Sequence, residues 1–168
     1  LDPILDDEGF YGVKLAIEDN LTTGRFVGHD YKAEFHRVLI KENLIEEYQK
    51  LINSGNKIFV VDLNEKEIQS LYDNSSSKDV IIFNVRSKSD SLRNDKCRNN
   101  LFHIPPSYSM LSDALTQYLV KKKWNKWFVV TGPDSNDKEY ADALKKSAKK
   151  LKIKIKKEKI WDFTADLR

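Results

Sequence analysis

Hydroxyls, amides and a guanidinium gather at a few places in this sequence: Asp62-Leu63-Asn64, Asn84-Val85-Arg86-Ser87, Pro105-Pro106-Ser107-Tyr108 and Gly132-Pro133-Asp134-Ser135. Each follows a short apolar run, so each reads as a loop at the carboxyl end of a strand. In open parallel sheets ligands bind at that end, where loops and helix amino termini converge. The group types suit a small polar or anionic ligand. They do not assemble a nucleophile with its base, because no histidine stands beside a candidate serine in these loops. Gly132-Pro133-Asp134 lacks the glycines and lysine of a phosphate loop and is given no nucleotide role.

The other chemistry-bearing residues read as structural. His29, His36 and His103 have no paired spacing. Asp2, Asp6, Asp7 and Glu8 are oxygen donors of the kind that hold a hard cation, but acids at a helix start also complement its dipole, and that reading is preferred. No metal and no cofactor are expected. Cys97 is the single cysteine, so no internal disulfide or cysteine metal site forms within these residues. The net charge is +3, with lysines concentrated over residues 138–159. Such a run can follow a nucleic-acid backbone. Here Ala141, Leu144, Ala148 and Leu151 keep helical spacing and leave the lysines to solvent, and no aromatic residues interleave for base stacking. Nucleic acid is therefore not an expected partner. No segment approaches the roughly 20 apolar residues of a membrane span, and no basic-then-apolar leader stands at Leu1.

These loops need a scaffold, and the apolar pattern describes one. Short β-rich runs alternate with stretches of helical period, the order of an α/β fold: a parallel sheet with helices on both faces. The spacing predicts a helix from Asp7 with Phe10, Val13, Leu15, Ala16 and Ile17 on one side, stopped by Thr22-Thr23-Gly24. A strand is expected over residues 30–41, with Phe35, Val38 and Ile40 as its apolar positions. Asn43 caps a helix through Ile52, closed by Asn53-Ser54-Gly55. Strands follow at 58–62, 80–84, 101–104, 127–131 and 153–161. Helices are expected at 64–72, from Ser107 to about Lys123, and at 137–151, while residues 85–100 read as a long loop. The opening helix needs a sheet under its apolar face, and Leu1-Asp2-Pro3-Ile4-Leu5 cannot be a central strand because Pro3 removes a ladder donor. The expectation is that the sequence is a fragment lacking the strand ahead of its first helix.

Two resemblances bear on function. Ile4-Leu5-Asp6-Asp7-Glu8, Val60-Val61-Asp62, Ser87 and Ile104-Pro105 resemble the phosphoacceptor layout of a response-regulator receiver, which is the alternative reading. Ile104 stands there where a receiver has lysine. The longer match runs from Glu8-Gly9-Phe10-Tyr11-Gly12-Val13-Lys14-Leu15-Ala16-Ile17-Glu18-Asp19-Asn20 through Thr22-Thr23-Gly24-Arg25-Phe26. It resembles the first helix and turn of type I periplasmic binding proteins, the solute receptors of branched-chain amino acid ABC transporters. Asp95-Lys96-Cys97-Arg98-Asn99-Asn100-Leu101-Phe102-His103, Pro106-Ser107, Met110 to Leu119, Lys126-Trp127 and Tyr140 to Leu144 resemble the branch found with PQQ-dependent alcohol dehydrogenase systems.

That resemblance implies a two-lobed fold closing over a ligand, with residues 1–123 as most of the first lobe and 124–168 as the start of the second. It implies a periplasmic, non-enzymatic receptor whose closed form meets an ABC permease in the inner membrane, without inserting into the membrane itself. By comparison with the amino-acid binders, Asn84, Arg86, Ser87, Ser107 and Tyr108 are carried over as ligand-binding positions. Tyr140 matches either a ligand-facing tyrosine or a packing residue. Val85-Arg86 departs from the serine-rich loop of the amino-acid binders, and an alcohol-derived acid, an amino acid, a cofactor fragment and a metal complex are all compatible with these loops.

Overall fold

The computed structural model describes residues 8–39, 43–74 and 79–161. The chain divides into two compact units, Leu1–Lys50 and Leu51–Arg168. Asp2, Asp6 and Asp7 of the acidic cluster, with the side chain of Glu8, lie outside the described residues.

In the first unit, α1 (Glu8–Val27) runs past the stop expected at Thr22-Thr23-Gly24. Thr22 Oγ1 donates to the Asp19 carbonyl at 2.7 Å, which accommodates its hydroxyl within the helix. Termination falls instead at Gly28, whose φ of 80° is the left-handed conformation glycine adopts without steric cost. His29 N–H then donates to the Gly24 carbonyl at 2.7 Å. Gly24 contributes by lacking a side chain, since a Cβ there would lie 2.8 Å from Tyr31 Cε2. The following segment returns along the helix and sets Phe35 against Phe10, ring centroids 4.2 Å apart.

The strand expected over residues 30–41 is absent from its described part, 30–39. Ile40 and Lys41 lie outside the described residues. Apolar spacing alone does not make a strand, because a strand needs a neighbour to take its ladder hydrogen bonds. Every described ladder joins strands of the second unit. Helix α2 (Leu44–Asn53) straddles the border of the units. Asn43 Oδ1 caps it by accepting from Ile45 N–H at 3.1 Å, as its sequence implies.

The second unit carries β1 (Ile58–Val61), α3 (Glu65–Asn74), β2 (Ile81–Asn84), β3 (Leu101–His103), α4 (Tyr108–Lys121), β4 (Lys126–Thr131), α5 (Ser135–Lys150) and β5 (Lys154–Ile160). Strands β1, β2 and β3 form one parallel sheet in that order, and β4 with β5 form a second, also parallel. Parallel neighbours require a crossover: α3 joins β1 to β2 and α5 joins β4 to β5, while β2 and β3 are joined by the long loop the sequence implies, with a single 3-10 turn at Ser91–Arg93. Val61, Ile82 and Leu101 point to one face of the first sheet and are buried, as are Ile68 and Leu71 of α3 and Leu92. Asn84 lies on that same face, paired in register with Val61 and His103, and is wholly buried.

Helices α4 and α5 meet through small side chains. Ser112, Thr116, Ala143 and Ser147 are all buried. Ser147 Oγ donates to Asp113 Oδ1 at 2.6 Å, and Lys150 Nζ reaches Asp113 Oδ2 at 2.8 Å. Those bonds tie a helix that follows the first sheet to the crossover helix of the second. No helix among the described residues is long and apolar enough to cross a membrane.

Candidate functional site

The carboxyl ends of β1, β2 and β3 lie side by side, so the loops after them share one edge of the sheet. Asn84 organises the loop after β2. Its Oδ1 accepts from Arg86 N–H at 3.1 Å and Ser87 N–H at 2.8 Å, while its Nδ2 donates to the Ser87 carbonyl at 2.7 Å. The same amide approaches His103 Nδ1 at 2.9 Å. Because the amide is the donor there, His103 Nδ1 accepts and the ring proton sits on Nε2. Burial, and then the charge of Arg93, lower the His103 pKa, against a raising hydrogen bond with the Leu92 backbone. Asn84, wholly buried, thus shapes the loop from within.

The loop then runs against the amino terminus of α4. Tyr108 N–H donates to the Lys88 carbonyl at 3.0 Å. Ser107 is the N-cap, accepting from Met110 N–H at 3.3 Å. The Asp90 carboxylate takes Ser109 N–H at 3.1 Å and Ser109 Oγ at 2.8 Å. A negative charge at this position complements the helix dipole. Arg93 reaches the Pro105 carbonyl through Nη2, while its buried Nη1 makes no hydrogen bond. Burial lowers the Arg93 pKa, and nearby Asp90 partly offsets the shift.

From the second sheet, α5 brings Glu139 and Tyr140 to the same region. Glu139 Oε1 accepts from Ser89 Oγ at 2.7 Å and from Asp90 N–H at 3.1 Å. The rings of Tyr108 and Tyr140 stack with centroids 5.2 Å apart and planes inclined by 24°. Burial first, then the carboxylates of Glu139 and Asp137, push the Tyr108 hydroxyl above its ordinary pKa. Arg86 lies at the other side, its Nη1 3.7 Å from Asp62 Oδ1 at the end of β1, with both side chains largely exposed.

The structure therefore brings Asn84, Ser87, Ser107, Tyr108 and Tyr140 into one connected region and sets Arg86 against Asp62. Ser87 and Ser107 are buried. Asp90, Arg93 and Glu139 belong to the same region and were not among the expected positions. Nothing in spacing marks them, since Asp90 acts on a helix 19 residues later and Glu139 acts on a loop 50 residues earlier. No group of three or more histidines, cysteines and acids able to hold a metal occurs among the described residues.

The profile of the family described as periplasmic binding protein matches residues 42–165 of the 168. The chain belongs to the periplasmic binding protein family. Among solved structures, this family member is similar to an ABC transporter substrate-binding protein from Desulfitobacterium hafniense in complex with Leu. That match has a TM-score of 0.74 and 18% identity and covers 94% of this chain and 48% of that one. It is also similar to a putative branched-chain amino acid ABC transporter protein from Silicibacter pomeroyi, with TM-score 0.68 and 12% identity over 92% of this chain and 43% of that one. A third is a solute binding protein of an ABC transporter from R. palustris in complex with benzoate, with TM-score 0.63 and 16% identity over 90% of this chain and 42% of that one. At these identities the likeness is one of fold, that of type I periplasmic binding proteins. The chain spans less than half the length of each. No curated protein matches the sequence.

Proposed function

We propose that this periplasmic binding protein is the extracytoplasmic, non-enzymatic solute receptor of an ABC importer, and that it takes a small polar or anionic solute between two lobes. The observation that carries this reading is the meeting of Tyr108, at the edge of the first sheet, with Tyr140, from the crossover helix of the second. Two sheets with separate ladders, whose loops converge on one region, suit a cleft that closes. The proposed boundary near Lys123 and Trp124 falls inside the compact unit Leu51–Arg168, at the break between the two sheets, since β3 and β4 share no ladder. Ser87, Ser107, Tyr108, Arg86 and Tyr140 are the proposed contacts, with Asn84 acting through the loop it holds. The PQQ-linked branch rests on the motifs between Asp95 and Leu144 alone.

Closure would first engage donors preorganised on one lobe, then exclude water with the other. A membrane permease would recognise the closed form. The receiver alternative draws no support from the fold family, and its paired acids Asp6 and Asp7 lie outside the described residues. The test is small-angle scattering of the full-length chain with leucine and with benzoate, followed by analysis of the recovered solute. Compaction with an unaltered solute is expected. Chemical turnover of a bound solute, or binding without compaction, would overturn the receptor reading.

A further inference from the structure

The usual reader of a ligand's negative charge in a parallel α/β fold is a helix amino terminus with its free N–H groups. At the edge of the first sheet that place is taken. At α4, Tyr108 N–H goes to the Lys88 carbonyl, Ser109 N–H to the Asp90 carboxylate, and Met110 N–H to Ser107 Oγ. Asp90 is an internal anion at the helix terminus, and a second negative charge there would meet it at close range. The loop after β2 is closed in the same way, because Arg86 N–H and Ser87 N–H both point to Asn84 Oδ1. Backbone donors that would cradle a carboxylate on this edge are thus engaged inside the protein.

The Arg86 guanidinium is not engaged in that way. Its contact with Asp62 is a single nitrogen-to-oxygen approach of 3.7 Å, and the two side chains are 63% and 68% exposed. An exposed pair of that length is weak and screened by water and salt. A guanidinium presents five N–H groups in a planar fork. Most of that fork remains for a carboxylate, which it matches with two parallel hydrogen bonds. The wall supplied by α5 has the opposite character, since Asp137 and Glu139 raise the Tyr108 hydroxyl through their charge. A second negative charge on the solute would face those acids.

We infer that Arg86 is the specificity-determining residue of this cleft, that it selects solutes carrying one carboxylate, and that Asp62 is the competing internal anion which the solute displaces. The inference rests on the receptor reading and deepens it. Asp90 contributes by repulsion, directing the carboxylate away from the α4 terminus and toward Arg86.

The experiment is calorimetric titration of the full-length chain with acid and amide partners of the same shape: benzoate with benzamide, isovalerate with isovaleramide, and leucine with leucinamide. At least one acid is expected to bind about tenfold or more tightly than its amide, the scale of a charge-assisted hydrogen bond. Arg86→Gln is expected to weaken that acid by about 10- to 100-fold on the same basis, with Arg86→Lys partly restoring it. Asp62→Asn is expected to tighten the acid and leave the amide unchanged. Lys88→Gln, a charge change in the same loop, is expected to alter binding less than about threefold if the fork rather than the loop's general charge is read. A urea midpoint checks that Arg86→Gln folds. An acid bound equally well by Arg86→Gln, or an amide bound as well as its acid, overturns the assignment of Arg86 while the receptor reading stands. Binding of none of the probes to the wild type counts against both.

Discussion

Replacing Asn84 by alanine tests the claim that one buried amide holds the loop of the candidate site. The side chain is wholly buried and makes four hydrogen bonds: two accepted, from Arg86 N–H and Ser87 N–H, and two donated, to the Ser87 carbonyl and His103 Nδ1. Truncation leaves the buried Ser87 N–H and carbonyl, and the half-buried His103 Nδ1, without that partner. A buried polar group left unsatisfied costs about 1–3 kcal/mol. Arg86 N–H sits at an exposed residue and is rehydrated cheaply. Allowing for the non-additivity of neighbouring terms, the expected loss is about 3–4 kcal/mol, a large share of the roughly 5–15 kcal/mol that holds a protein folded. Urea denaturation of the full-length chain, followed by tryptophan fluorescence, measures it. Hydrogen exchange should show the Arg86 and Ser87 amides losing protection more than the strands do. A stability loss below about 1 kcal/mol, the worth of one ordinary hydrogen bond, would refute the view that Asn84 is the organising group.

Two further outcomes follow from the same geometry. His103 has a folded pKa below its ordinary 6.5, so as pH falls the unfolded chain takes up this proton first. The stability associated with neutral His103 is therefore complete above about pH 6.5 and is lost as pH falls through the folded value; the urea midpoint should drop between pH 7.5 and 5.5, and His103→Gln should flatten that drop. Ala143 is buried on α5, one turn before Ser147, the residue that bonds to Asp113 of α4. Ala143→Leu would force the helices apart and should cost about 1–3 kcal/mol, whereas Lys149→Leu on the exposed side should change stability by less than about 0.5 kcal/mol in the same assay.

The strands at 58–61, 81–84, 101–103 and 126–131 were legible because β-branched and aromatic runs bounded by turn residues are local signals. Ser107 was legible as an N-cap for the same reason, and its side chain does accept from the first turn of α4. Gly24 misled as a helix stop, because glycine marks both left-handed caps and close approaches. Only the fold shows that Tyr31 packs over Gly24 while Gly28 carries the positive φ. Residues 30–39 have apolar residues at strand-like positions, yet a strand exists only when a neighbour supplies the ladder.

By itself the sequence determined the parallel α/β class, the order of its elements from α2 onward and the loops in which polar groups collect, since periodicity, caps and turn residues act over a few neighbouring positions. Tertiary structure decided what those groups do. It turned Asn84 inward to hold its loop, engaged the first N–H groups of α4 inside the protein, and brought Glu139 and Tyr140 of α5 to Ser89 and Tyr108. Hydrogen bonds form between whatever groups folding brings within about 3 Å. Partners separated by 19 to 50 residues in sequence therefore leave no trace in local spacing.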